Sequence, residues 1–176
     1  MIAVMLAGAV RTYVNRYAAL PGRRAVVFTD NDDGWTTASD LAAAGAMVVA
    51  VIDSRNSGVV GDMARRMPGV EVVAGVITRA LGGHSVNAVE IETHGRATRR
   101  VECDLVAMSG GWNPALHLTS HRGHKPVLDE DRSIFVPGTL PAGLTVAGAA
   151  NGHFSLPEAL TSGHGQGVAA AEALGF

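Results

Sequence analysis

The segment Thr29-Asp30-Asn31-Asp32-Asp33-Gly34 follows a short apolar run, AVVFT, and leads into a helical pattern. Laid on the dinucleotide-binding turn G-x-G-x-x-G, it keeps only the third glycine, Gly34. The first two glycines of that turn permit a tight bend and let a pyrophosphate approach backbone amides. Thr29 and Asn31 replace them, and Asp30, Asp32 and Asp33 bring three carboxylates to a helix start. The helix dipole favours carboxylates there, and a diphosphate would need the same place. Two readings stand: a structural turn that caps its own amides, or a weakened dinucleotide site. Asp53 closes the next apolar run, at the distance where an acid can take a ribose hydroxyl. Strand ends also carry Asp for turn chemistry. On the dinucleotide reading, Gly34 and Asp53 are contacts of this half.

A second candidate is Gly148-Ala149-Ala150-Asn151-Gly152, which runs into a small-residue helix over 156–174 and can offer amides to a phosphate or ribose. Gly163, Gly165 and Gly167 lie inside that helix, where each costs about 1 kcal/mol relative to Ala. Glycines so placed serve close packing or close approach of a ligand. Ser109-Gly110-Gly111-Trp112-Asn113-Pro114 carries a strand into Gly-Gly and reads as a crossover between domains. His117, His121 and His124 have i, i+4, i+7 spacing, but Pro114 and Gly123 interrupt a helix there, with no Cys or carboxylate in ligand register. No metal site is assigned. A nucleophile elbow, G-x-S-x-G, is absent, and no catalytic residue is assigned.

These groups are positioned by an alternation of elements. Residues 4–17 have helical spacing, with apolar positions at 6, 9, 10, 13, 14 and 17, ended by Pro21-Gly22. Residues 25–29 and 46–53 read as buried parallel strands around a helix over 36–44, a crossover unit of about 30 residues. A helix over 56–67 follows. Strands at 70–74, 76–81, 86–93 and 98–102 then form a β-meander, with His94-Gly95-Arg96 as one turn. Residues 104–109 make a further buried strand, and 134–136 and 144–147 short ones. Ser155 and Glu158 have capping-box spacing at the start of the last helix.

The 176 residues are 47% hydrophobic and 17% charged, with 22 glycines, as suits an α/β fold. A net charge of −2 offers no electrostatic footprint for nucleic acid or anionic membrane. One cysteine, Cys103, excludes an internal disulfide and a CxxC motif. The apolar start, MIAVMLAGAV, is too short to span a bilayer and lacks a basic lead, so a cytoplasmic location is expected.

The stretches MLAGAVRTYVNRYAALPGRRAVVFTDNDDGWTTASDLAAAGAMVVAVIDSR, CDLVAMSGGWNPALHL and TVAGAANGHFSLPEAL together resemble the α subunit of heterotetrameric sarcosine oxidase. The same family includes large subunits of opine and related amine dehydrogenases. The resemblance implies an internal slice of a longer subunit, similar to two-domain pyridine-nucleotide/flavin reductases and carrying NAD. It implies amine oxidation at flavins with other subunits, so the isolated chain is expected to be inactive. The expected fold is α/β: residues 23–118 form a Rossmann-like domain with a β-meander insertion. Residues 1–22 and 119–176 are pieces of a partial second Rossmann-like domain, an N-terminal helix and a C-terminal return segment. Carried onto that return segment, the family pattern makes Gly148, Ala149, Phe154 and Leu156 cofactor-lining residues. Where flavoprotein reductases have Gly-Asp, this chain has Gly148-Ala149, which removes a partner for flavin. The competing reading is a degenerate dinucleotide fold that serves only to assemble subunits. Apolar positions Val10, Val14, Leu156, Leu160 and Val168, left uncovered in such pieces, imply a homo-oligomer in isolation.

Overall fold

The computed structural model describes residues 4–55, 57–93, 98–130, 132 and 134–175, and it divides into two compact units, Met1–Gly111 and Trp112–Phe176.

The first unit is built on seven strands: β1 (Val4–Leu6), β2 (Arg24–Thr29), β3 (Met47–Asp53), β4 (Glu71–Gly82), β5 (Val86–Thr93), β6 (Arg99–Glu102) and β7 (Leu105–Ser109). Their order is β1-β7-β2-β3-β4-β5-β6. Strands β1, β7, β2 and β3 run parallel with the first half of β4, and β5 and β6 continue antiparallel. From β2 the chain moves outward through β3 and β4, then returns on the other side as β7. The strand order therefore reverses between β2 and β7, and such a switch point opens a crevice at the carboxyl ends of the strands. Ala25, Val26, Val27, Val51 and Ile52 are fully buried. Near-continuous burial is what a parallel strand covered on both faces requires, and it explains the unbroken β-branched runs.

Three helices accompany the sheet: α1 (Ala7–Tyr17), α2 (Asp32–Ala43) and α3 (Ser57–Ala64). The helix expected over 4–17 begins only at Ala7. Residues Val4–Leu6 extend instead and pair parallel with β7, because that edge offers free backbone partners. On α1, Val10 is fully buried and Val14 packs on the core, so neither is free for another chain, while Tyr13 and Tyr17 stay exposed. Helix α2 starts at Asp32, four residues before the expected position, since Asn31 caps it. The expected strands at 70–74 and 76–81 are one strand, β4, that changes partner at Gly75. A Cβ there would stand 2.2 Å from the Glu92 carbonyl oxygen, so only glycine allows this approach. The turn His94-Gly95-Arg96 lies outside the described residues.

The second unit contains α4 (His117–Ser120), a 3₁₀ turn (His121–Gly123), the hairpin β8 (Val127–Asp129) and β9 (Ile134–Val136), a 3₁₀ turn (Gly148–Asn151) and α5 (Leu156–Ala173). The strand expected over 144–147 does not form, because it finds no ladder among the described strands. The capping box of Ser155 and Glu158 is present. The division into compact units falls after Gly111, and residues 4–17 lie in the sheet unit.

Candidate functional site

At the switch point the carboxyl ends of β2, β3 and β7 lie side by side, where a ligand crevice is expected in this fold. Thr29 closes β2 fully buried, and its hydroxyl donates to the Asn31 carbonyl at 2.7 Å. Asn31 then fills the turn. Its Oδ1 accepts from the Asp33 amide at 2.9 Å, and its Nδ2 donates to Asp30 Oδ1 at 2.7 Å and to Ser109 Oγ at 3.0 Å. The amide that a phosphate oxygen would seek at this helix start is already taken by a side chain. Gly34 has the role of the third fingerprint glycine, since a Cβ on it would lie 2.2 Å from Thr29 Oγ1. On the far side Gly111, at φ +76°, brings its Cα against Asp30; an added Cβ would sit 3.1 Å from Asp30 Oδ1.

Asp53, at the end of β3, is 0% exposed. Its Oδ2 accepts from Trp35 Nε1 at 2.8 Å and Arg55 Nη2 at 2.8 Å. Its Oδ1 accepts from the Arg55 amide at 3.0 Å and Arg55 Nε at 3.1 Å. Arg55 Nε is shared with Oδ2 at 3.3 Å, so four donors fill the lone pairs of the two oxygens and none is left for a ribose. Arg55 reaches on to Asp32 Oδ1 at 2.8 Å. Burial works against the guanidinium charge, but hydrogen bonds and attraction from Asp53 and Asp32 outweigh it and raise its pKa. From α1, Arg11 binds Asp33 at 2.7 Å and Asp40 at 2.9 Å. Of the three carboxylates placed at the turn, Asp32 and Asp33 are ion-paired, and Asp30 holds the Asn31 amide. Trp35, Arg11 and Ser109 belong to this site with no sequence signal to mark them. They come from three separate elements, and only the fold brings them together.

The second candidate stands in the second unit. Gly148 and Gly152 have φ of +63° and +79°, which bend the chain tightly around Ala149-Ala150-Asn151. The His153 amide closes the bend on the Gly148 carbonyl at 3.1 Å. Arg132, paired with Asp129, donates to the Gly152 carbonyl at 2.9 Å. Ala149, Phe154 and Leu156 are exposed around this turn, Gly148 is half-buried, and Nδ1 of His153 is buried without a hydrogen-bond partner. At the start of α5, the Ser155 hydroxyl and amide bind the Glu158 carboxylate and hold its pKa below the usual range. The α5 glycines touch nothing: a Cβ at Gly163, Gly165 or Gly167 would meet no atom within 4 Å.

His117 and His121 fall on different elements, α4 and the 3₁₀ turn, so their spacing does not produce one helical face. Among the described residues no three His, Cys, Asp or Glu side chains gather as metal ligands, and no helix is long and apolar enough to cross a membrane.

No family model matches the chain. Sarcosine oxidase subunit alpha of Rhizobium meliloti (strain 1021) is 43% identical over 173 residues, which is 97% of this chain and 16% of that protein. The proteins of the same name from Corynebacterium sp. strains P-1 and U-96 are 39% and 38% identical over 98% of the chain, and it covers 19% of each. Among solved structures, L-proline dehydrogenase from P. horikoshii superposes with a TM-score of 0.55 at 16% identity, over 84% of this chain and 25% of that one. T. acidophilum thioredoxin reductase gives 0.51 at 16% identity, over 94% and 58%. At that identity the likeness speaks for the fold alone, and it agrees with a Rossmann-like α/β architecture. The chain spans under a fifth of the length of the curated relatives it matches. By identity along almost its entire length, the chain belongs to the sarcosine oxidase subunit alpha family, as the counterpart of one segment of that longer polypeptide.

Proposed function

We propose that the chain is a dinucleotide-binding segment of a sarcosine-oxidase-type α subunit, that its dinucleotide is NAD, and that NAD is held at the Gly148–Leu156 turn and not in the sheet crevice. The observation that carries this reading is the unequal state of the two candidate turns. In the crevice, Asn31 occupies the helix-start amide and Asp53 is saturated by Trp35 and Arg55. At the second turn, Ala149, Phe154 and Leu156 are exposed beside two left-handed glycines. Gly34 then acts in packing and Asp53 in holding Arg55. Amine oxidation belongs to other subunits of the complex, in keeping with the subunit name that the relatives bear. The cytoplasm is the proposed location.

A filled crevice also favours a second reading, in which the degenerate sheet unit only helps to assemble subunits. Calorimetry of NAD against the pure chain separates the two. On the first reading, binding persists in Asp53→Asn and is lost in Ala149→Glu, which sets a carboxylate beside the turn. Binding lost in Asp53→Asn but kept in Ala149→Glu overturns it. Absence of NAD binding in every variant and in the parent chain favours the assembly reading.

A further inference from the structure

We propose that Thr29 and Asn31, which stand where the dinucleotide turn has its first two glycines, are internal ligands of that turn. Their side chains take the backbone amides that a diphosphate would take, and so bar a nucleotide's diphosphate from the switch point. A glycine-rich turn leaves its amides free because glycine has no side chain to reach them. Here each replacement brings its own acceptor. Thr29 Oγ1 accepts from the Asn31 amide at 3.1 Å and donates to the Asn31 carbonyl at 2.7 Å. Asn31 Oδ1 accepts from the Asp33 amide at 2.9 Å. The Asp30 amide, between them, donates to the Ser109 carbonyl at 3.3 Å. The amides of residues 30, 31 and 33 are therefore satisfied by the sheet unit itself.

These acceptors are fixed in place from β7. Asn31 Nδ2 donates to Ser109 Oγ at 3.0 Å and to the Ser109 carbonyl at 3.2 Å, and the Ser109 hydroxyl donates back to Asn31 Oδ1 at 3.1 Å. Thr29 and Ser109 are buried, so neither can swing aside without parting β2 from β7. An acceptor already held by the chain costs no association entropy, and a diphosphate would have to displace it at a loss. Charge adds a second barrier. Asp33 and Asp32 are paired with Arg11 and Arg55, but among the described residues no arginine pairs with Asp30, whose carboxylate faces the same turn. Every group involved lies in the first unit, so the inference does not depend on what the Gly148–Leu156 turn holds.

The test titrates inorganic diphosphate into the full chain and follows the backbone amide resonances of residues 30–34. Resonances of 148–156 are followed separately, so that events at the other turn are not mistaken for events at this one. The parent chain should show no saturable shift at 30–34. Asp30→Asn/Asn31→Gly removes the charge and the acceptor together, and it should fold, because glycine caps a helix start almost as well as asparagine. Saturable shifts at 30–34 are expected in it, and exchange of the residue 33 amide should rise by about tenfold or more. Asp30→Asn/Asn31→Ser removes the same charge but keeps a hydroxyl that can cap amide 33. It should bind diphosphate at least about tenfold more weakly than the glycine variant. Saturable shifts at 30–34 in the parent chain would overturn the proposal. So would a glycine variant that takes no diphosphate, equal exchange of amide 33 in the parent and glycine variants, or equal affinity in the serine and glycine variants.

Discussion

Asp53 and its neighbours explain why a carboxylate at a ribose-binding position can be structural. Four donors converge on two oxygens with no access to water. Removing one partner of such a cluster costs more than the cluster contributes, because a buried charge is left behind. Asp53→Ala should therefore destabilise the chain by about 3–5 kcal/mol by stranding Arg55. Trp35→Phe, which keeps the ring and deletes only the indole N–H, should cost about 1–3 kcal/mol. Chemical denaturation of both variants measures this, and equal small losses would show that the cluster is not a unit. Cys103 gives a second test at this scale. Burial, together with the negative charge of Asp104, pushes its thiol up to about 11 from an ordinary 9.0. The protonated form is favoured in the fold, so its contribution is complete below pH 9.0 and is lost as pH rises toward 11. At pH 8 a thiol reagent should leave the folded chain unmodified and react fully after denaturation.

Elements were legible in the sequence where one local pattern decided them. Apolar runs at 25–29 and 46–53 became β2 and β3 within a residue, because parallel strands buried on both faces need nothing but continuous apolar side chains. Patterns that a distant partner decides were not legible. Val4–Leu6 fit a helical period until the edge of β7 captured them, and Gly75 read as a break although it marks a change of partner strand. The reverse held at 144–147, where an apolar run without a neighbouring strand stayed unpaired. For the candidate site, Gly34, Asp53 and the Asp cluster could be found from spacing. Their engagement with Trp35, Arg55 and Arg11 could not, since it depends on side chains arriving from other elements. The start of α5 was legible because a capping box is local. Ser155→Ala removes it and should cost the helix about 1 kcal/mol, seen as a loss of circular dichroism at 222 nm. Because Glu158 has its pKa lowered by Ser155, the box is intact above the usual carboxylate range and is lost as pH falls through that depressed value. Helicity of α5 should fall over that window in the parent chain and show no such step in Ser155→Ala.

On the scale of the whole molecule, the hydrophobic core is unevenly shared. Every residue of the buried cluster, from Val10 to Ala107, belongs to the first unit. Among the described residues of the second unit Pro114, Thr119, Ile134 and Gly152 are buried, and α5 contributes nothing. Small units of this kind rarely reach even about 3–5 kcal/mol from their own core. A two-stranded hairpin is marginal alone, and an isolated 18-residue helix carrying three glycines is barely past the length at which helices persist in water. Local stability should therefore divide at Gly111. Hydrogen exchange should show amides of β2, β3 and β7 opening only with global unfolding. Amides of α5 and of β8–β9 should exchange orders of magnitude faster. Equal protection of both units would mean that the second unit draws its stability from a source other than its own side chains.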